Sequence, residues 1–314
     1  MDCKVLPSQV TVIEVGLRDG LQIIDQKVTT EDKLRLLMSL IETGLSDLEV
    51  TSFVHPKGVP QLSDAEELLL AAPRDTGVNY WALVPNEKGV ERAVKCQLNG
   101  ISVALSVSES HNLANMRMST EESIARIPRM VSLAWEAGLN VRAGIGTSFG
   151  CPFEGNVPPD RVIEIISRFV DLGVDNILLA DTTGMADPIK VTKLLQKVRF
   201  AFPEITLAVH FHNTRGAGMA NVLAALLSGI TIFDSSIGGL GGCPFAPNAA
   251  GNVCTEDMVN MFHQMGINTG INIDKLITSA HLAQEILGFE LPGQVMKAGP
   301  TDQLHPLPHR EVPG

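Results

Sequence analysis

The chain has 314 residues, 45% of them hydrophobic and 19% charged, with a formal net charge of −11. That composition suits a well-buried α/β enzyme and excludes a disordered tail, while the length allows either two ordinary domains or one large barrel. The acidic balance argues against a nucleic-acid or anionic-membrane binder, but a local basic cluster still leaves room for an anionic small substrate.

Five cysteines, Cys3, Cys96, Cys151, Cys243 and Cys254, are irregularly spaced and form no C-x-x-C pair. That pattern favours a reducing compartment with free thiols over a structural zinc knot. No stretch reaches the eighteen uninterrupted apolar residues that would suggest a transmembrane helix. The first strand begins within about ten residues of Met1, which leaves no room for a signal or transit peptide. The end, Arg310-Glu-Val-Pro-Gly314, does not match a peroxisomal or retention signal, and a cytoplasmic location is expected.

Taken in chain order, β-rich runs fall at residues 10–15, 47–53, 80–84, 101–105, 141–145, 176–180, 207–212 and 231–235. Most are preceded by an amphipathic stretch ending in glycine, as at Gly44, Gly138, Gly173 and Gly229. Glycine just past a helix takes the left-handed conformation that ends it at little steric cost. Ser119-x-x-Glu122 and Thr29-x-x-Asp32 resemble capping boxes, and Pro128 should kink the first of these helices or shift its start. Strands alternating with helices mean a parallel sheet. Eight such units in roughly 250 residues match an α/β fold of the (β/α)8 TIM-barrel type better than an open doubly wound sheet. No G-x-G-x-x-G opens the first helix, which weakens a dinucleotide-binding alternative. The reading is one catalytic domain over residues 1–314, with the barrel at about 8–268 and a C-terminal cap at about 269–314. The cap should contain a helix at 273–287, with roughly the last fifteen residues poorly ordered.

Barrel enzymes place their chemistry at the C-terminal ends of the strands. Here the first strand is expected to end in Arg18-Asp19, the second to run through Glu49, the sixth to end in Asp181, and the seventh to carry His210 and His212. Strand side chains alternate faces, so His210 and His212 point the same way, one rung apart. Alone, such a pair is weak evidence for a metal, and the blander reading is two histidines each satisfied by a carboxylate or carbonyl. Joined at one rim by Asp19 and a carbonyl-type donor such as Asn252, they make a mixed N/O set suited to Mg²⁺, Mn²⁺ or Co²⁺. Arg18 beside such a set can hydrogen-bond a developing oxyanion. Glu49 in an apolar strand needs a cation, and Arg18 is the expected one. Cys243 sits in the glycine-rich loop 238–252 and fits a proton donor or acceptor at a lid, whereas a turn cysteine is ordinarily a small buried apolar residue. Cys151, in a second copy of Gly-Cys-Pro-Phe, is read as structural.

These residues resemble the 3-hydroxy-3-methylglutaryl-CoA lyases, within a wider group of metal-dependent Claisen-type barrels. The resemblance covers nearly the whole chain and rests on Glu14-Val-Gly-Leu-Arg-Asp-Gly-Leu-Gln22, Glu49-Val-Thr-Ser-Phe-Val54, Gly150-Cys-Pro-Phe-Glu-Gly155, Val209-His-Phe-His212, and Gly239-Leu-Gly-Gly-Cys-Pro244 through Asn252. The Cys243 loop marks the lyase branch, while Arg-Asp-Gly and His-x-His belong to the wider group. The resemblance implies Asp19, His210, His212 and Asn252 as ligands of a divalent metal, Mg²⁺ or Mn²⁺. It implies Arg18 as the enolate-stabilising residue oriented by Glu49, Cys243 as the proton-transferring thiol, and His210 or Asp19 as the base. Gln22, Asp181 and Arg215 are expected on the substrate side. The implied reaction is cleavage of an acyl-CoA, 3-hydroxy-3-methylglutaryl-CoA, to acetyl-CoA and acetoacetate. A homodimer is the expected assembly, and no nucleic acid or membrane is an expected partner.

Two stretches depart from the lyase pattern. Asn213-Thr-Arg215-Gly stands where the lyases usually have Asp-Thr-Tyr-Gly, and Ser108-Glu-Ser-His111-Asn112 lies closer to the synthases. Both bear on the acid end of the substrate, so citramalyl-CoA, cleaved to acetyl-CoA and pyruvate, is the alternative, and Arg215 either binds its carboxylate or is a surface arginine. A Claisen synthase would normally carry a C-terminal regulatory domain, for which about forty residues of tail are too few. An aldolase acting on free keto-acids has no need of the Cys243 loop. A non-catalytic barrel would be expected to have lost one of Arg18, Asp19, His210 or His212.

Overall fold

The structure, a computed structural model, describes residues 6–242 and 251–304. Eight parallel strands close into a barrel in sequence order: β1 (Thr11–Glu14), β2 (Asp47–Ser52), β3 (Asn79–Val84), β4 (Gly100–Ser106), β5 (Asn140–Gly146), β6 (Asn176–Asp181), β7 (Thr206–Phe211) and β8 (Ile232–Ser235). Each expected strand is present, with no end shifted by more than one residue. β8 returns to β1 with Asp234 beside Ile13 on one side and beside His210 on the other.

The helices are α1 (Thr30–Ile41), α2 (Ala65–Ala71), α3 (Glu87–Val94), α4 (Glu109–Met116), α5 (Thr120–Glu136), α6 (Pro159–Asp171), α7 (Pro188–Ala201), α8 (Gly218–Leu227), α9 (Thr255–Gln264), α10 (Ile273–Leu287) and α11 (Val295–Ala298). α6 shows why they pack as they do: Val162, Ile165, Ile166 and Phe169 recur at helical spacing and are all buried, giving one apolar stripe for the barrel wall. Ser119 and Glu122 form a reciprocal capping box on α5, which runs unbroken across Pro128 with its start unshifted. Thr29 caps α1 by accepting from the Asp32 amide. Gly44 is needed twice over after α1: its φ of +93° suits glycine, and a Cβ there would lie 2.5 Å from the Gly270 carbonyl oxygen. The cap helix α10 has the expected bounds and packs against α1. Residues 305–314, most of the tail expected to be poorly ordered, lie outside the described residues, as does Cys243.

One expectation is corrected. β1 stops at Glu14, and Arg18 and Asp19 sit beyond it in a single wide turn, Gly16–Gly20. The cause is Glu14, whose buried carboxylate bends back to accept the Gly16 amide at 2.7 Å. A Cβ on Gly16 would lie 2.6 Å from that oxygen and 2.8 Å from Ile237 Cγ2, so glycine lets the turn start there without displacing either side chain.

Candidate active site

The end of β7 presents His210 and His212 on one face, as strand alternation requires, with their Nε2 atoms 3.1 Å apart. The turn after β1 brings Asp19 Oδ2 to 3.8 Å from His210 Nε2 and 3.7 Å from His212 Nε2. All three residues are buried, and their candidate ligand atoms lie within 4.8 Å of one another. Asn252 joins from the far end of the chain: His212 and Asn252 form an isolated bridge, and the Asn252 side-chain nitrogen donates to Asp19 Oδ2 at 2.8 Å and to the Leu240 carbonyl. Gly241, at φ +114°, makes room for it, since a Cβ there would lie 2.5 Å from that nitrogen. Gln22 donates to Asp19 Oδ1 at 2.9 Å, and Arg18 pairs with the same oxygen.

The electrostatics divide the trio. For Asp19, burial opposes ionisation, but Arg18, the two histidines and Asn252 outweigh it and hold the carboxyl down at about 2. His212 is pushed down to about 4 by burial and by its neighbour His210. Burial also pulls His210 down, yet the hydrogen bond its ring donates to Asp234 and the nearby carboxylates of Asp19 and Asp234 leave it raised overall. An ionised carboxylate beside a neutral imidazole is a metal ligand set and a poor self-contained one. The two rings, facing each other through Nε2 at 3.1 Å, have room for one hydrogen between them, and His212 Nδ1 and Asn252 Oδ1 are buried with no partner. These donors fit a hard or borderline divalent cation.

Behind the trio lies a set of charges the sequence reading only half recovered. Glu49 meets Arg18 as expected, with Oε2 3.3 Å from Arg18 Nε. Its other oxygen is 3.4 Å from Arg142, a fully buried arginine on β5. Arg142 also donates to Asp234 Oδ1 at 2.8 Å, and Asp234 Oδ2 lies 3.4 Å from His210 Nδ1. Arg142 and Asp234 went unread because single charges in short strands look like solvent-facing positions. The reasoning applied to Glu49, a charge in an apolar strand that needs a partner, would have found both.

The remaining expected residues lie around the same rim. Asp181, at the end of β6, accepts the Met185 and Ala186 amides through Oδ1, while Oδ2 is buried without a partner, and burial raises its carboxyl to about 6. Arg215 donates from one guanidinium nitrogen to the Thr183 and Gly184 carbonyls at 2.8 and 2.9 Å, so part of its donor capacity is spent on the loop after β6. His111 is buried against the Ser106 hydroxyl at 2.7 Å. Cys151 is buried with its sulfur 2.9 Å from the Ser108 hydroxyl, in keeping with the structural reading.

The HMGL-like family profile matches residues 9–282. The chain belongs to the HMGL-like family. This HMGL-like chain is 44% identical over 288 residues to the hydroxymethylglutaryl-CoA lyase YngG of Bacillus subtilis, covering 92% of this chain and 96% of the relative. It is 38% identical over 302 residues to the (R)-citramalyl-CoA lyase of Chloroflexus aurantiacus, covering 93% and 95%. The solved structure of an HMG-CoA lyase from Acinetobacter baumannii in complex with coenzyme A and 3-methylmalate superposes with a TM-score of 0.92 at 43% identity, over 97% of this chain and all of that one. The HMGL-like barrel described above is thus shared by enzymes that cleave carbon–carbon bonds in acyl-CoA thioesters.

Proposed function

We propose that this chain is a metal-dependent carbon–carbon lyase that cleaves 3-hydroxy-3-methylglutaryl-CoA to acetyl-CoA and acetoacetate. The observation that carries the reading is the convergence of Asp19, His210 and His212, with Arg18 beside them. Asp19, His210 and His212, with Asn252 as a fourth candidate, would hold Mg²⁺ or Mn²⁺, whose positive charge offsets negative charge developing on substrate oxygens. Asp19, through a carboxylate oxygen, or His210, through Nε2 when that atom is not engaged by the cation, takes the proton from the tertiary hydroxyl. The bond between C2 and C3 then breaks, the C3 oxygen becomes the ketone of acetoacetate, and the electron pair passes into the enolate of acetyl-CoA. Arg18, aimed by Glu49, hydrogen-bonds the enolate oxygen. Cys243 delivers the proton that converts the enolate to acetyl-CoA. Gln22, Asp181 and Arg215 complete the substrate side. Asp181 has a bare oxygen for this, and Arg215 has donors beyond those given to the loop.

In the same reading the enzyme is a cytoplasmic homodimer. Cys96, Cys151 and Cys254 are free thiols, as a reducing compartment requires. α8 carries no charged residue and leaves Leu223 and Leu227 exposed, as a self-association face would. Among the described residues no helix is long and apolar enough to cross a membrane.

A second reading, citramalyl-CoA as substrate, is favoured by the likeness to the Chloroflexus enzyme and by Arg215 near the site's acid end. The deciding experiment incubates the purified protein, with Mg²⁺ or Mn²⁺, with each thioester and identifies the released ketone. Acetoacetate in preference to pyruvate supports the first reading, and the opposite ratio supports the second. Cleavage of neither, or full activity after exhaustive chelation, overturns the proposal.

A further inference from the structure

A row of alternating charge runs through the barrel interior beneath the ligand set: Arg18, Glu49, Arg142, Asp234, His210. Each carboxylate in it is shared. Glu49 gives one oxygen to Arg142 at 3.4 Å and the other to Arg18 at 3.3 Å. Asp234 gives one oxygen to Arg142 at 2.8 Å and the other to His210 Nδ1 at 3.4 Å. Arg142 therefore holds, with different nitrogens, Glu49 on β2 and Asp234 on β8, the partners of the site residues Arg18 and His210. Its own placement is fixed. The Ser102 hydroxyl is 3.4 Å from its Nε, the Trp81 ring lies 5.7 Å from its guanidinium carbon, and Trp81 is seated on Gly100, where a Cβ would come within 2.3 Å of the ring.

Stability does not account for such an arrangement. Burying a guanidinium and two carboxylates carries a desolvation cost that well-packed apolar residues avoid, and such replacements in other cores are often neutral or stabilising. Geometry gives the reason. A carboxylate at Nδ1 keeps the hydrogen of a neutral imidazole on that nitrogen and leaves the lone pair on Nε2, the atom that faces His212 and Asp19. A planar, permanently charged fork suits the task of holding two carboxylates at a fixed separation, which a flexible ammonium does not do equally well.

We propose that Arg142 is a positioning residue that sets the ring tautomer of His210 through Asp234 and the aim of Arg18 through Glu49, coupling the metal ligand to the oxyanion partner. The proposal rests on the metal reading of Asp19, His210 and His212.

The test uses apo protein and Mn²⁺ alone, with equilibrium binding and ¹⁵N NMR of the histidine rings, beside steady-state kinetics at saturating metal. Asp234→Asn offers one acceptor oxygen to two donors. It should weaken Mn²⁺ binding roughly 10- to 100-fold and move the His210 hydrogen partly to Nε2. Glu49→Gln should leave Mn²⁺ affinity within about threefold of wild type and lower kcat with little change in KM. Arg142→Met should show both defects, and Arg142→Lys should restore only part of either; should the methionine variant fail to fold, the two isosteric variants carry the test. Unchanged Mn²⁺ affinity and an unchanged His210 tautomer in Asp234→Asn would overturn the proposal, leaving Arg142 a structural residue. His212→Ala separates the two readings: if it binds Mn²⁺ as tightly as wild type, the metal reading itself is wrong.

Discussion

The rim of this barrel has two unlike sides. Around β1, β7 and β8, side chains converge on one another: Asp19 faces two imidazoles, and His212 Nδ1 and Asn252 Oδ1 are left buried without partners. Around β4 and β6, side chains are turned onto the backbone: Arg215 caps two carbonyls, Asp181 Oδ1 holds two amides, and the Asn112 amide ties together Ser106, Met118 and Ser119. Polar groups bound to backbone stabilise a loop, while buried groups left unmatched cost free energy that a water or a ligand returns. In the proposed reading the first side carries the chemistry and the second the substrate shape, with Asp181 Oδ2 a place where the second side also remains open.

The largest effect should come from the converging side. His212→Ala is expected to lose metal affinity and activity together, with kcat/KM falling by more than about 10³-fold, since a lost cation withdraws several kcal/mol of charge stabilisation. Calorimetric titration beside a turnover assay checks it, and unchanged metal content in the variant would remove the distinction between the two sides. Arg18→Gln should lower kcat by roughly 10²-fold with KM little altered, the pattern of an interaction made in the transition state. A raised KM at constant kcat would move Arg18 to substrate binding.

On the other side, Arg215→Tyr should leave metal affinity alone and shift the ratio of kcat/KM between 3-hydroxy-3-methylglutaryl-CoA and citramalyl-CoA by about tenfold or more, as one charged hydrogen bond allows. A ratio that does not move would make Arg215 a tether for the loop after β6 and nothing more. The smallest effect concerns stability against pH. Burial raises the Glu14 carboxyl from 4.5 to about 8, against the pull of its bonds to Thr255, Ile237 and Gly16. Between those values the folded chain keeps a proton that the unfolded chain has released, so Glu14 favours folding less as pH climbs through that window. Glu14→Gln, neutral throughout, should flatten the decline of Tm across it; an identical decline in both proteins would show that Glu14 is ionised in the fold.

Sequence reading reached the barrel because glycine-terminated helices and apolar strands recur at regular spacing, and that periodicity reports burial directly. It reached Asp19, His210 and His212 because a closed barrel must gather its strand ends, whatever their distance along the chain. It missed the turn at Gly16–Gly20, since nothing in Glu14 announces that its side chain folds back onto its own backbone. Arg142 and Asp234 were hidden for a related reason. Which face of a barrel strand looks inward depends on register between strands, so a lone charge beside Ala143 or Phe233 shows that it needs a partner but not which residue supplies it.

Glu14 binds the Ile237 amide and the Thr255 hydroxyl, Asp19 binds Asn252, and β1 pairs with β8. The ligand site is therefore sewn from the two ends of the sequence, across separations of 233 and 241 residues. Contacts that distant are slow to form because the chain must give up loop entropy before they repay it. No partly folded chain, and no nascent one still missing its last quarter, holds these ligands together. A cation bound by Asp19, His210 and His212 would recognise only the closed barrel and stabilise it by mass action, so its presence late in folding acts as a latch on the finished ring.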